Sequence, residues 1–259
     1  MNYLSKLQTL VWFLKRISFW PHALELFKRK FRKNLDNDKA VADATNWAKN
    51  HVVSNSKALQ LVGLLEENKS HPTLHEDQLS IAYRLFKKCP VDMGGPGDIN
   101  LLYAAVILSG SSKIIETGVA YGWSSLAILM AIDKVGEGGL ISVDMPYPKH
   151  NNEEFVGCVV PKELRRNWRL LRGPDRNMIK KALGLFDNQI DFCHYDSDKS
   201  WWGRAFAFPL LWEALKPGGV FISDDIQDNL FFAEFCNSLQ MPFAVTEFDG
   251  KFVGIIRKS

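Results

Sequence analysis

From Lys113 onward, short β-branched runs alternate with helical stretches, and this alternation constrains the fold more than any other feature of the chain. The spacing predicts strands at 114–118, 140–144, 169–172, 190–196 and 220–224, with helices at 124–134, 174–185 and 204–215 between them. Strands joined through helices must run parallel, and a parallel sheet needs helices on both faces. The tail breaks the rhythm: apolar runs at 243–248 and 252–257 flank Asp249-Gly250, a dipeptide that favours a tight antiparallel turn. The expected architecture is α/β, a doubly wound and mostly parallel seven-stranded sheet closed by a C-terminal antiparallel hairpin.

A helical N-terminal extension precedes it. Residues 1–33 read as one or two amphipathic helices broken near Pro21, residues 38–70 and 74–88 as further helices, and 98–108 as a helix capped by Asp98. The expected division is 1–90, a basic helical extension, and 91–259, the sheet domain. Because every predicted strand lies beyond Lys113, a chain beginning at Leu74 is expected to fold and to keep its binding motifs.

Composition excludes several classes. With 46% hydrophobic and 24% charged residues, the chain is globular rather than disordered. Its four cysteines form no C-x-x-C pair, which argues against a zinc ribbon or a disulfide framework and suits a reducing cytoplasm. No uncharged apolar run reaches the roughly 18–20 residues of a membrane span, and no secretory cleavage pattern follows the short run at 7–14. The formal charge of +3 is uneven: residues 1–33 hold eight Lys or Arg against the single acid Glu25, a net +7 that leaves −4 for the remainder. This segment suits a peripheral contact with a membrane surface, or packing on the domain or in a homodimer; the acidic remainder offers no second basic face for nucleic acid.

Four constellations carry chemistry. Glu116-Thr117-Gly118-Val119-Ala120-Tyr121-Gly122-Trp123-Ser124 runs from a strand through a glycine turn into a helix whose N-terminal N–H groups are free. Gly118 permits the turn and Gly122 a close backbone approach to a ligand. The G-x-x-x-G spacing differs from the G-x-G-x-x-G of dinucleotide binders and counts against a dehydrogenase. Asp144 ends the second strand, where an acid can accept hydrogen bonds from ribose hydroxyls. At the ends of strands four and five, Asp196, Asp224 and Asp225 are expected to converge; such like charges repel unless a cation intervenes, and oxygen-only ligands suit Mg²⁺ or Ca²⁺.

The stretch from Asp191 to Ile226, with His194-Tyr195-Asp196, Leu215-Lys216-Pro217-Gly218-Gly219 and Ser223-Asp224-Asp225, resembles the second half of the class I, metal-dependent small-molecule and sugar O-methyltransferases, and the 116–124 turn resembles their first motif. The resemblance implies a transferase that binds S-adenosylmethionine (SAM) and a divalent cation, expected to be Mg²⁺, and methylates a small-molecule or sugar hydroxyl. It implies that Glu116, Gly118, Ala120, Gly122 and Ser124 surround the methionine end of SAM, that Asp144 holds the ribose, and that Gly173, Pro174 and Asp175 lie against the adenine. Asp196 would serve both SAM and the metal, with Asp224 and Asp225 as the other ligands. Lys199, its pKa depressed by burial and the metal, would deprotonate the acceptor. Two departures stand out: Ser197 replaces the family's usual glycine, and the segment 146–167 is long enough to form a lid. Three alternatives stay open: a metal-independent N-methyltransferase, a hydroxylase-like relative, and a SAM-binding scaffold without turnover.

Overall fold

The computed structural model describes Thr9, residues 11–146 and residues 152–259. Seven strands form one sheet: β1 (Lys113–Thr117), β2 (Gly139–Asp144), β3 (Trp168–Arg172), β4 (Ile190–Tyr195), β5 (Leu215–Ser223), β6 (Phe243–Phe248) and β7 (Lys251–Arg257). Their order is β3-β2-β1-β4-β5-β7-β6. The first five run parallel, while β7 is antiparallel to both β5 and β6. The hairpin turn places Asp249 at φ 50° and Gly250 at φ 75°, the two left-handed residues that a tight turn matched to sheet twist requires.

Both faces of the sheet are buried, and successive residues feed opposite cores. Ile114 and Leu140 join one cluster, with α5 (Ile99–Ser109) and α6 (Trp123–Val135); Ile115 and Ile141 join the other, with α7 (Asp175–Gly184) and α8 (Trp201–Ala214). This is the period-two alternation of a strand, with both faces apolar because helices cover both. Strand order reverses at β1, which pairs with β2 on one side and β4 on the other, so a crevice opens beyond their C-terminal ends.

The N-terminal third divides differently from the expectation. Helix α1 spans Trp20–Arg29, α2 Asp38–Lys49, α3 Asn55–Leu61 and α4 Glu76–Phe86. The break expected near Pro21 falls just before it: a 3-10 helix over Ile17–Phe19 ends there and α1 begins, with Pro21 in its first turn, where its missing N–H costs no hydrogen bond. Asn37 and Ser54 cap α2 and α3 with their side chains, which splits the single helical stretch anticipated at 38–70. Helices α2 to α4 share the sheet's cores: Ala48 belongs to one cluster, and Ala58, Leu59, Leu79 and Ala82 to the other. Val52 bridges Val245 of β6, and the Val53 N–H donates to the Val245 carbonyl at 2.8 Å. The line drawn at residue 90 therefore separates no two cores. A chain beginning at Leu74 would strip two helices from a continuous interior. Only α1 stands apart: it buries none of its residues and lies across the mouth of the crevice.

Candidate active site

The turn after β1 is built on protein–protein approach. Gly118 has φ +82°, and a Cβ there would lie 2.1 Å from the backbone oxygen of Asp196. The ends of β1 and β4 close on each other at this point, so any larger residue disrupts the strand ends before it meets a ligand. Gly122, the N-cap of α6, has φ +90°, and a Cβ there would lie 2.9 Å from the Cα of Gly157. The close approach anticipated for a ligand at Gly122 is made by the protein's own 157 loop. Of the expected lid at 146–167, residues 147–151 lie outside the described residues. The rest is pinned to the turn, because Gly157 N–H donates to Ala120 O at 2.9 Å and Val159 N–H to Tyr121 O at 3.1 Å. Ser124 lies half-buried in the first turn of α6. Glu116 is fully buried and accepts from Ser125 Oγ at 2.5 Å and Ser142 Oγ at 2.6 Å. Its carboxylate faces the interior and does not line the crevice.

The crevice has a volume of about 500 Å³, within the range that holds a nucleoside-sized ligand. Gly118, Asp144, Asp175, Ser197 and Lys199 line its floor and walls. Asp144 is the last residue of β2; its Oδ1 accepts from Val119 N–H at 2.9 Å and its Oδ2 meets the Arg172 guanidinium. The Gly173 N–H donates to Asp144 O at 2.9 Å, which brings the Gly173-Pro174-Asp175 turn beside β2. Asp175 opens α7 and accepts from Ser197 Oγ at 2.6 Å. Burial pushes its pKa up to about 6. The serine that replaces the usual glycine thus ties the β4 turn to the β3 turn.

The roof of the crevice is α1. His22, Leu26 and Arg29 line it from above. Arg29 Nη1 donates to Asp198 Oδ2 at 2.7 Å and to Ser200 Oγ at 2.9 Å, and Arg176 Nη2 reaches Glu25 Oε1 at 3.2 Å. His22 Nδ1 and Arg176 Nε are buried with no hydrogen-bond partner. Burial lowers the His22 pKa, so the ring is neutral near pH 7. Unsatisfied polar atoms beside a nucleoside-sized crevice fit a polar ligand such as SAM.

The strand-end carboxylates come together, but not as expected. Asp196, Asp224 and Asp225 line one small cavity of about 40 Å³ together with Asp98. Lys199 Nζ lies 3.1 Å from Asp196 Oδ1 and also meets Asp225 Oδ2. Asp224 instead faces His194, whose Nε2 is 3.3 Å away, while His194 Nδ1 is 3.7 Å from Glu116 Oε1. Burial opposes charge on His194, but Asp224 and Glu116 override it and push its pKa up to about 10. Burial, reinforced by Asp224, pushes Asp196 up to about 6 despite Lys199. Among the described residues, no three His, Cys, Asp or Glu side chains converge as metal ligands. In this arrangement the charge opposing the carboxylates comes from Lys199 and His194. For Lys199 the expected direction is reversed, since Asp196 and Asp225 overcome burial and hold the ammonium charged.

Several supporting residues carry no sequence signal. Arg204 of α8 is fully buried and donates to the carbonyls of Asp224 at 3.2 Å and Asp225 at 2.6 Å, fixing the β5 turn in which Asp225 takes φ 50°. Asn229 Nδ2 donates to Lys199 O at 2.9 Å. The roof residues His22 and Arg29 lie far from the motifs in sequence, and no spacing points to them.

A methyltransferase-domain family matches residues 115–226, which hold the glycine turn, Asp144, Asp175 and the strand-end aspartates. No curated protein matches the chain in sequence. Among solved structures, an O-methyltransferase from Bacillus cereus in complex with SAH, the demethylated product of SAM, is similar at a TM-score of 0.52 and 15% identity, covering 82% of this chain and 100% of that one. The O-methyltransferase TomG from Streptomyces achromogenes, involved in tomaymycin synthesis and solved with SAM, gives 0.51 and 16%, covering 79% and 97%. An SAH-bound methyltransferase from Podospora anserina gives 0.51 and 13%, covering 86% and 97%. At these identities the likeness establishes the fold, that of the SAM-binding methyltransferases, and residues 115–226 of the chain are similar to a methyltransferase domain.

Proposed function

We propose that the protein transfers a methyl group from SAM to a hydroxyl oxygen of a small molecule or sugar. The observation that carries this reading is the position of Lys199, which lines the SAM crevice and grips Asp196 and Asp225, the walls of the adjoining small cavity. When bound, SAM supplies an electrophilic methyl group on a sulfonium. The chain's own residues then have three tasks. The floor and the α1 roof fix the reacting partners in line and exclude water, which is chiefly catalysis by positioning. Asp196, titrating near 6, is ionised at neutral pH and accepts the hydroxyl proton. The Lys199 ammonium stabilises negative charge as it develops on the acceptor oxygen. Lys199 in this reading is an electrostatic residue and not the base.

The test is a transfer assay with methyl-labelled SAM over a panel of hydroxyl-bearing acceptors, combined with calorimetry of SAH binding. Lys199→Met is expected to lower kcat by roughly 100-fold while SAH affinity is retained. Absence of SAH binding, or label appearing only on nitrogen, would overturn the reading. A second reading, cation-assisted transfer with Asp196, Asp224 and Asp225 as ligands, is favoured by their sharing one cavity. Activity abolished by exhaustive chelation and restored by Mg²⁺, with Asp224→Asn equally impaired, would make that reading the first choice.

A further inference from the structure

Helix α1 is amphipathic in an inverted sense. At about 100° per residue, Trp20, Leu24 and Phe27 fall on one stripe, which Phe31 prolongs from the turn that follows the helix, while His22, Glu25 and Arg29 fall on the opposite side. The polar side faces the protein and roofs the crevice. The apolar side faces outward: Trp20 is 50% exposed, Leu24 54%, Phe27 55% and Phe31 77%, and Ile17, just upstream, is 73% exposed. Phe27 and Phe31 contact each other edge to face, with ring centroids 5.2 Å apart, so the stripe is ordered as a surface of its own. A contiguous exposed apolar surface of this kind marks an interaction site.

Charge identifies what covers it. Lys28 and Lys30 flank the stripe on either side, Lys15, Arg16 and Lys33 extend the basic rim, and all five are exposed. The one acid in residues 1–33, Glu25, is turned inward, where it meets Arg29, Arg32 and Arg176 at 3.8, 2.7 and 3.2 Å. The outer face therefore carries aromatic and aliphatic side chains rimmed only by cations. A second copy of the chain seated there would bring two such rims together, and like charges at short range repel. An anionic lipid surface neutralises the rim and accepts the stripe at the depth of its headgroups, with the lysine stems extended along the apolar side chains and their ammonium groups in the headgroup layer. No described helix is long and apolar enough to cross a membrane, so the contact lies in the plane of the surface.

We infer that the outer face of α1 and of the turn after it, Trp20, Leu24, Phe27 and Phe31 with their rim of Lys28, Lys30 and Lys33, binds an anionic lipid bilayer. The test is co-sedimentation of the full chain with vesicles of phosphatidylglycerol and phosphatidylcholine, against vesicles of phosphatidylcholine alone. Binding to the anionic vesicles only is expected, weakened by high salt. The combined variant Lys28→Glu/Lys30→Glu/Lys33→Glu and the combined variant Leu24→Ser/Phe27→Ser/Phe31→Ser are each expected to lose roughly tenfold or more of the vesicle affinity. Both should keep the SAH affinity and melting temperature of the parent, which shows that they fold; the single variant Leu24→Lys, with a smaller loss, serves if a combined one does not. No sedimentation with anionic vesicles, equal sedimentation with neutral ones, or unchanged binding by the outer-face variants would overturn the inference. So would a stable dimer in analytical ultracentrifugation that the Leu24/Phe27/Phe31 variant dissociates, which would assign the face to a second copy of the chain.

Discussion

Helices α2 and α3 bury Ala44, Ala48, Ala58 and Leu59 to 1% exposure or less, whereas α1, just upstream and also amphipathic, buries no residue. The residues on the two sets of apolar faces explain part of the difference. Alanines and a leucine let α2 and α3 approach the sheet closely, and Val52 extends the contact by pairing with Val245. The face of α1 is aromatic and rimmed by lysines, so burying it against the domain would strip water from cations without partners. Instead α1 uses its polar side for docking, through Arg29 to Asp198 and Ser200. Amphipathicity establishes that a helix has two faces; the partners that the rest of the fold brings up to it, here Asp198 and Ser200, decide which one the protein keeps.

Truncation gives the largest effect expected from this contrast. A chain beginning at Leu74 loses α2 and α3 from a continuous core and is expected not to fold, as read by circular dichroism and gel filtration. A chain beginning at Asn34 loses α1 and the residues before it, none of which is buried among those described; it is expected to keep its melting transition but to bind SAH about tenfold more weakly in calorimetry, because the crevice loses its roof. A folded Leu74 chain would abolish the distinction drawn here.

Paired substitutions sharpen it. Leu59→Ala, at a fully buried site, is expected to cost about 2–5 kcal/mol in urea denaturation. Leu24→Ala, on the exposed stripe, is expected to stay within about 0.5 kcal/mol of the parent. Comparable losses would mean that the α1 stripe is covered in solution.

The smallest effect is a pH dependence at Asp175, which lies beneath the α1 roof. Its folded pKa, about 6, is raised above the unfolded value. The stability it contributes is therefore fully present below the unfolded pKa and is lost as pH rises through about 6. Asp175→Asn is expected to gain stability relative to the parent at pH 8, by at most about 3 kcal/mol, and to lose that advantage below about pH 4. In the chain beginning at Asn34, NMR titration should find the Asp175 pKa returned toward the ordinary carboxylate value. A pKa unchanged by removal of α1 would show that the roof does not desolvate this group.

The sheet was legible because its signals are local. Alternating runs such as Ile114-Ile115 and Phe192-Cys193, and the Asp249-Gly250 turn, need no knowledge of distant contacts. The position of Asp144 at the end of β2, and of Asp196 and Asp224 beyond β4 and β5, follows from the same periodicity. The surroundings of those groups were not legible. Lys199 is three residues from Asp196 in sequence, yet the second carboxylate that holds its charge, Asp225, arrives from another strand. Gly118 was identifiable as a turn glycine, but the atom that demands it, the Asp196 carbonyl, lies 78 positions away. The roof depends on α1, whose sequence gives its two faces equal claim to the interior.

Strand identity, the parallel direction of the first five strands and the residues at the strand ends were determined by the sequence itself, through hydrophobic period and turn chemistry, which act over a few residues. Which carboxylate meets which cation, and which face of α1 meets the protein, only the tertiary structure decided. Coulombic and desolvation energies depend on distances set by the packing of elements far apart in the chain, and those distances tie Asp196, Lys199, Asp224 and His194 into a network of ion pairs that no local spacing announces.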